Sequence, residues 1–158
     1  MNNIDLNIIN DDDYEHPSRE ILLKCYNIVL EYHNLKNSSI NVNIVSNDEI
    51  QSINNQYRKK DKATNILSFP FDKPEGLPDD IMGDFLGDII IAPDILEKEA
   101  IEQNKTLDNH WCHIFIHGIL HLLGYDHEND KDADKMETLE IKLLQELNIP
   151  NPYKEDLA

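Results

Sequence analysis

The histidine-rich segment HWCHIFIHGILHLLGYDH (residues 110–127) constrains the fold more than any other part of the chain. Five of the seven histidines lie in it. Its apolar residues favour a helix that ends near Gly124, because glycine readily adopts the left-handed conformation that reverses a chain after a helix. His117 and His121 are four residues apart, so both imidazoles project from one face of that helix. The segment therefore predicts a helix over about residues 107–123 with two histidines on one face.

The spacing of three histidines predicts a metal site. Imidazoles at positions i and i+4 of a helix have the arrangement that two ligands of one zinc ion need. A chain reversal at Gly124 lets His127 return to the same ion as a third ligand. Three protein ligands leave one position of a tetrahedral ion open, which is typical of catalytic zinc sites. We expect one zinc ion per chain, held by His117, His121 and His127.

The same segment follows the spacing of ligands and glycine in metzincin peptidases but lacks their glutamate. Gly118 stands where those enzymes have the carboxylate that takes a proton from a zinc-bound water, and glycine cannot do this. A metallopeptidase is therefore the weaker alternative. A non-catalytic protein with structural zinc also stays open, because a carboxylate such as Asp126 could close the fourth ligand position.

The hydrophobic pattern of the rest of the chain predicts one mixed sheet packed with helices. Alternating or short apolar runs indicate strands, and a period of 3.6 residues indicates helices. The predicted strands are residues 4–9, 39–45, 65–71 and 85–92. A first helix is predicted to start at residue 17, and three more cover residues 46–57, 93–105 and 107–123. A last helix ends before residue 150. The order β-α-β-α-β-β-α-α-α mixes crossover and hairpin connections. We therefore expect a single α+β domain over residues 1–158, with about four strands in one mixed sheet and about five helices.

Composition restricts the partners and the location of the protein. The formal net charge of −17 disfavours a general nucleic-acid coating role, because acidic proteins repel polyanions at long range. It does not exclude a nuclease, since a bound metal and a local basic cluster dominate within about 8–10 Å. No apolar run approaches the roughly 18 residues of a membrane helix, and the first residues lack a signal-peptide pattern. We expect a cytoplasmic protein without a membrane partner.

Together with segments further upstream, the histidine-rich segment resembles the YbeY endoribonucleases. In that family a three-histidine zinc site has glycine or another small residue after the first ligand, as Gly118 is here. The matching segments are residues 55–61 (NQYRKKD), 64–69 (TNILSF), 86–89 (LGDI), 110–113 (HWCH) and the later residues Met136, Glu137 and Glu140. Ala63 stands where proline is expected, a departure that concerns the rigidity of a turn rather than the chemistry.

The resemblance implies a single-strand-specific, zinc-dependent endoribonuclease. Such an enzyme acts in ribosomal RNA processing, including maturation of the 3′ end of 16S rRNA, and in ribosome quality control. Its expected partners are single-stranded ribosomal RNA and the ribosome or small subunit, and no DNA substrate is expected. With these partners, the non-catalytic alternative is a zinc-containing ribosome-assembly factor.

The family's functional arginine corresponds to Arg58, in the basic stretch of residues 58–62. A guanidinium fork beside zinc could hold the scissile phosphate and stabilise its developing charge. From the residues alone, a solvated cation at a helix end explains Arg58 equally well. The sequence also leaves open the roles of His113, Asp126 and Asp88, and whether water or the RNA 2′-hydroxyl is the nucleophile.

Overall fold

The hydrophobic patterns form helices and strands in the predicted order. The computed structural model of the chain describes residues 5–35, 38–71, 84–126 and 129–153. Its elements are β1 (Asp5–Ile9), α1 (Arg19–Tyr32), β2 (Ser38–Ile44), α2 (Asn47–Arg58), β3 (Ile66–Pro70), β4 (Asp84–Ile91), α3 (Pro93–Glu102), α4 (Leu107–Leu122) and α5 (Asp130–Glu146). The expected α+β architecture, one mixed sheet of four strands with five helices, is confirmed for these ranges.

Helix α3 ends earlier than expected. It was predicted to continue to about residue 105 but ends at Glu102. Asn104 has a positive φ of 55°, and the N–H of Lys105 returns to the carbonyl of Ala100. Asparagine tolerates this left-handed conformation and ends helices as glycine does.

The strands form one sheet in the order β1-β2-β4-β3. Strands β1, β2 and β4 are parallel, and β3 runs antiparallel to β4 at one edge. Along β2 every second residue is buried, and Ile40, Val42 and Ile44 point into the main core. This alternation fixes which face of the sheet receives the helices, because a shift of one residue would turn the apolar side chains outward.

Helix α2 covers part of the opposite face of the sheet. Its buried Ile50 packs with Leu67 of β3 and Ala92, which follows β4. Ser46 caps the helix by accepting a hydrogen bond from the N–H of Glu49. The last turn of α2, which carries Arg58, therefore lies beside the edge strand β3.

Helix α4 is the central helix of the fold. It contacts α1, α3, α5, β3 and β4. Trp111, Phe115 and Ile116 on it are fully buried in the core. A helix packed on so many sides needs apolar residues on nearly all of its faces, and only a few positions are left for polar chemistry. No helix in the described parts of the chain is long and apolar enough to cross a membrane.

Strand β4 contains a bulge at Leu86 and Gly87. Ser39 of β2 pairs with Phe85, and the next residue, Ile40, pairs with Gly87. Gly87 has a φ of +144°, and a Cβ atom there would lie 2.2 Å from the carbonyl oxygen of Phe69. Glycine is required at this position both by the backbone conformation and by the close approach of β3.

We expect Gly87→Ala to destabilise the protein by about 3 kcal/mol or more, since a backbone atom must move to make room. Gly124 is the matched control, because its φ is +99° but no atom of the described residues, apart from its chain neighbours, lies within 4 Å of its would-be Cβ. Gly124→Ala should cost only about 1–2 kcal/mol of conformational strain. Urea denaturation midpoints of the two variants measure the difference, and equal midpoints would show that the contact with β3 carries no energy.

Candidate metal centre

His117 and His121 lie one turn apart on α4 and face each other. Their Nε2 atoms are 3.1 Å apart, and their ring centroids are separated by 4.6 Å. Two nitrogen ligands at roughly 2.0–2.1 Å from one tetrahedral zinc ion lie about 3.3 Å from each other. The geometry of this pair is therefore close to that of two ligands of a single ion.

The end of α4 shows how the chain leaves the pair. The N–H of Gly124 donates to the carbonyl of His121, and the N–H of Tyr125 donates to that of Leu120. These two bonds form a Schellman motif, with Gly124 in the left-handed position that the sequence predicted. The chain then reaches Asp126, which lines the same groove as the two histidines.

The third predicted ligand, His127, lies outside the described residues. Among the residues that are described, no group of three His, Cys, Asp or Glu side chains could hold one metal ion. The assignment of His127 as a ligand therefore stays a prediction.

Glu140 of α5 contacts the ring of His117. Its carboxylate is fully buried and accepts a hydrogen bond from Nδ1 of His117. With its proton on Nδ1, the His117 ring has a free lone pair on Nε2, the nitrogen that faces His121. This is the tautomer that a metal ligand needs. Burial acts to raise the pKa of Glu140, but its interactions with His113, His117 and Tyr153 outweigh it and hold the pKa at about 2. The donor set thus fits a divalent metal ion.

Tyr153 and the buried Glu140 were not assigned to the site from the sequence. Glu140 shares the apolar face of α5 with Met136, Leu143 and Leu144. A carboxylate within an apolar stripe signals a buried charge that needs partners, so the pattern contained this information. Tyr153 follows the last helix and has no comparable signal in the sequence.

Arg58 lines the same groove as the two histidines. This groove has a volume of about 760 Å³, and its lining includes Arg58, Lys60, Lys62, His117 and His121. The Arg58 guanidinium donates to the carbonyl oxygen of Ser68 at 2.9 Å, and it lies over the Phe69 ring with 5.5 Å to the centroid. These contacts orient the arginine along the edge of β3.

The basic stretch after α2 is folded back onto the helix. Lys59 takes a left-handed conformation with a φ of 58°. The N–H of Lys60 donates to the carbonyl of the buried Asn54, and the Asn54 side-chain amide donates to the carbonyl of Lys62 at 2.9 Å. Asn54 therefore fixes the backbone of a loop that carries two of the cations of the groove.

Gly118 marks the closest approach of α4 to β3. The Ser68 hydroxyl donates to the Gly118 carbonyl at 3.0 Å. A Cβ atom on Gly118 would lie 2.6 Å from Cδ1 of Ile66 and 3.2 Å from the Ser68 hydroxyl oxygen. A side chain at position 118, where metzincin peptidases have their glutamate, would therefore point at Ile66 and Ser68 of β3.

The structure separates the residues whose roles the sequence left open. His113 lies in the groove and its Nε2 is 3.1 Å from the Tyr153 hydroxyl, while Asp126 lines the groove. Asp88 accepts a hydrogen bond from Asn41 on the neighbouring strand β2. His113 and Asp126 are therefore residues of the candidate site, whereas the hydrogen bond of Asp88 to Asn41 lies within the sheet.

Comparison with known proteins identifies the family. The family model described as Endoribonuclease YbeY matches residues 6–148. The chain belongs to this family. Its relatives include Endoribonuclease YbeY of Francisella tularensis subsp. novicida (strain U112) and that of subsp. mediasiatica (strain FSC147). Each is 61% identical over 155 residues, which cover 98% of this chain and 96% of the relative.

A solved structure supports the fold. The solution structure of TM1509 from Thermotoga maritima is 28% identical, with a TM-score of 0.56. The match covers 97% of this chain and 98% of that one. The family resemblance inferred from the sequence motifs is confirmed by these matches.

We expect the cost of Gly118→Ala to depend on the side chain at position 66. A helical alanine is favoured over glycine by about 1 kcal/mol, but the added methyl group overlaps Cδ1 of Ile66. Ile66→Val removes that one atom. Gly118→Ala should therefore be more favourable by about 1 kcal/mol in the Ile66→Val background than in the wild type. Denaturant unfolding of the four proteins measures this coupling, and additive effects would contradict it.

Proposed function

We propose that the protein is a single-strand-specific, zinc-dependent endoribonuclease that acts in ribosomal RNA processing and ribosome quality control. Its place in the YbeY family supports RNA as the substrate. The observation that carries the site assignment is that Arg58 lines the same groove as His117 and His121, whose Nε2 atoms face each other.

In this proposal His117, His121 and His127 hold one zinc ion. Glu140 supports the assignment of His117, because it leaves the Nε2 lone pair directed into the groove. When bound, zinc would supply a Lewis acid that polarises a phosphate oxygen and lowers the pKa of a bound water. Whether water or the RNA 2′-hydroxyl attacks stays open.

Arg58 is proposed to hold the scissile phosphate. Its guanidinium is oriented by the Ser68 carbonyl and the Phe69 ring, so less side-chain entropy is lost when phosphate binds. A planar fork pairs with two phosphate oxygens and stabilises the charge that develops on them. Lys60 and Lys62 line the same groove and would attract the backbone of the strand.

The finer assignments rest on the family resemblance. They are the specificity for single-stranded RNA, the exclusion of DNA as a substrate, processing at the 3′ end of 16S rRNA, the ribosome or small subunit as partner, and a cytoplasmic location. A peptidase function would need a carboxylate at position 118, where Gly118 instead packs against Ile66 and Ser68.

We expect about one zinc ion per chain in protein purified without a chelator, because the proposed histidines form one tetrahedral site. His121→Ala should lose most of the metal, since it removes one of three ligands. His16→Ala is the control, because His16 bonds to the neighbouring Pro17 carbonyl rather than to the groove. Elemental analysis measures the metal content. Wild-type protein without transition metal, even after zinc is added, would overturn the metal assignment.

We expect Arg58→Ala to slow cleavage of a single-stranded ribosomal RNA fragment by about 10²-fold or more while zinc content and fold are kept. Arg58→Lys should restore little, because a point charge cannot reproduce the fork. Lys24→Ala removes an exposed cation on α1 and serves as the control. Product formation on gels measures the rates, and cleavage by Arg58→Ala at the wild-type rate would rule out the proposed role.

A further inference from the structure

The carboxylate of Glu140 is the centre of a hydrogen-bonded cluster behind the histidine pair. Oε1 accepts from Nδ1 of His117, and Oε2 accepts from the Tyr153 hydroxyl. Nε2 of His113 lies 3.5 Å from Oε2 and 3.1 Å from the Tyr153 hydroxyl oxygen. Since the Tyr153 hydrogen goes to Glu140, the Tyr153 oxygen is the acceptor for His113. The direction of donation is therefore from His113 to Tyr153 to Glu140, with His117 donating from the other side.

A buried carboxylate needs such partners. Glu140 has 0% of its surface exposed, and an unpaired charge at this depth is strongly unfavourable. The partners also restrict the carboxylate to one orientation, because Oε2 is held by Tyr153 while Oε1 contacts His117. The position of the His117 ring thus depends on Glu140, which does not itself line the groove.

Tyr153 comes from the segment that follows α5. Ile149 anchors this segment in the main core, and Lys105 donates to the carbonyl of Pro152 at 3.3 Å. The Tyr153 ring packs edge-on against His113, with ring centroids 5.2 Å apart. These contacts bring the hydroxyl to Glu140 although the tyrosine is 40% exposed.

We propose that Glu140 is a positioning residue for the metal ligand His117 and that Tyr153, with His113, holds Glu140 in the required orientation. This inference rests on the proposed function, because it takes His117 to be a ligand. The carboxylate keeps the proton of His117 on Nδ1 and makes Nε2 a stronger donor to a metal ion. Outer-shell partners of this kind change metal affinity by about 10–100-fold.

The experiment compares three variants in the full chain. Glu140→Gln keeps the shape of the side chain and removes its charge, and Tyr153→Phe removes only the hydroxyl. Tyr32→Phe is the control, because Tyr32 is 47% exposed on α1 and contacts His33 and Lys142 rather than the cluster. Competition with a chelator measures zinc affinity. Nitrogen NMR of the metal-free protein reports which nitrogen of His117 carries the proton.

We expect Glu140→Gln to weaken zinc binding by about 10–100-fold, Tyr153→Phe by a smaller factor, and Tyr32→Phe not at all. The Nδ1-protonated form of His117 should be dominant in the wild type and less populated in the first two variants. A purely structural cluster would change unfolding midpoints and leave both readouts at wild-type values.

Zinc affinity within twofold of wild type in folded Glu140→Gln and Tyr153→Phe overturns the inference. If Glu140→Gln does not fold, Tyr153→Phe alone decides. If the wild type binds no zinc, the proposed metal site fails, and the protonation of His117 in the variants then decides whether Glu140 positions that ring.

Discussion

Helix α4 is packed against three helices and two strands, and most of its residues are buried. His117 and His121 are half-buried exceptions on one face. Because the helix cannot shift without disturbing the core on several sides, its two imidazoles have a rigid support. A site of this kind gains precision from the core, since a displacement of about 1 Å is enough to impair metal binding or catalysis.

The same packing determines what can surround the histidines. On one side α4 approaches β3 so closely that there is no room for a side chain at Gly118, and the Ser68 hydroxyl donates a hydrogen bond to the Gly118 carbonyl. On another side α5 supplies Glu140, which is buried. The open side is the groove, where Arg58, Lys60 and Lys62 are placed by the end of α2. Although the chain has a net charge of −17, these cations create a positive electrostatic field within the groove, which attracts an anionic ligand at short range.

Much of the fold could be predicted because its signals are local. Alternation in β2 and the glycine after α4 determine structure through nearby residues, and both predictions hold. The facing nitrogens of His117 and His121 follow from the i, i+4 spacing in the same way. Tyr153 could not be found by such reasoning, since it meets Glu140 only through the packing of the segment after α5. His127 stays a prediction because it lies outside the described residues.

The contact between Arg58 and β3 also affects how the protein behaves in solution. Strand β3 is at the edge of the sheet, and it bonds to β4 through the carbonyl of Asn65 and the N–H of Phe71. Since backbone groups alternate in direction along a strand, the carbonyl of Ser68 faces the open side, where Arg58 covers it. An edge occupied by a charged side chain, and ending in Pro70, is a poor template for a strand of another molecule. The arginine proposed to bind phosphate thus also protects the sheet against self-association.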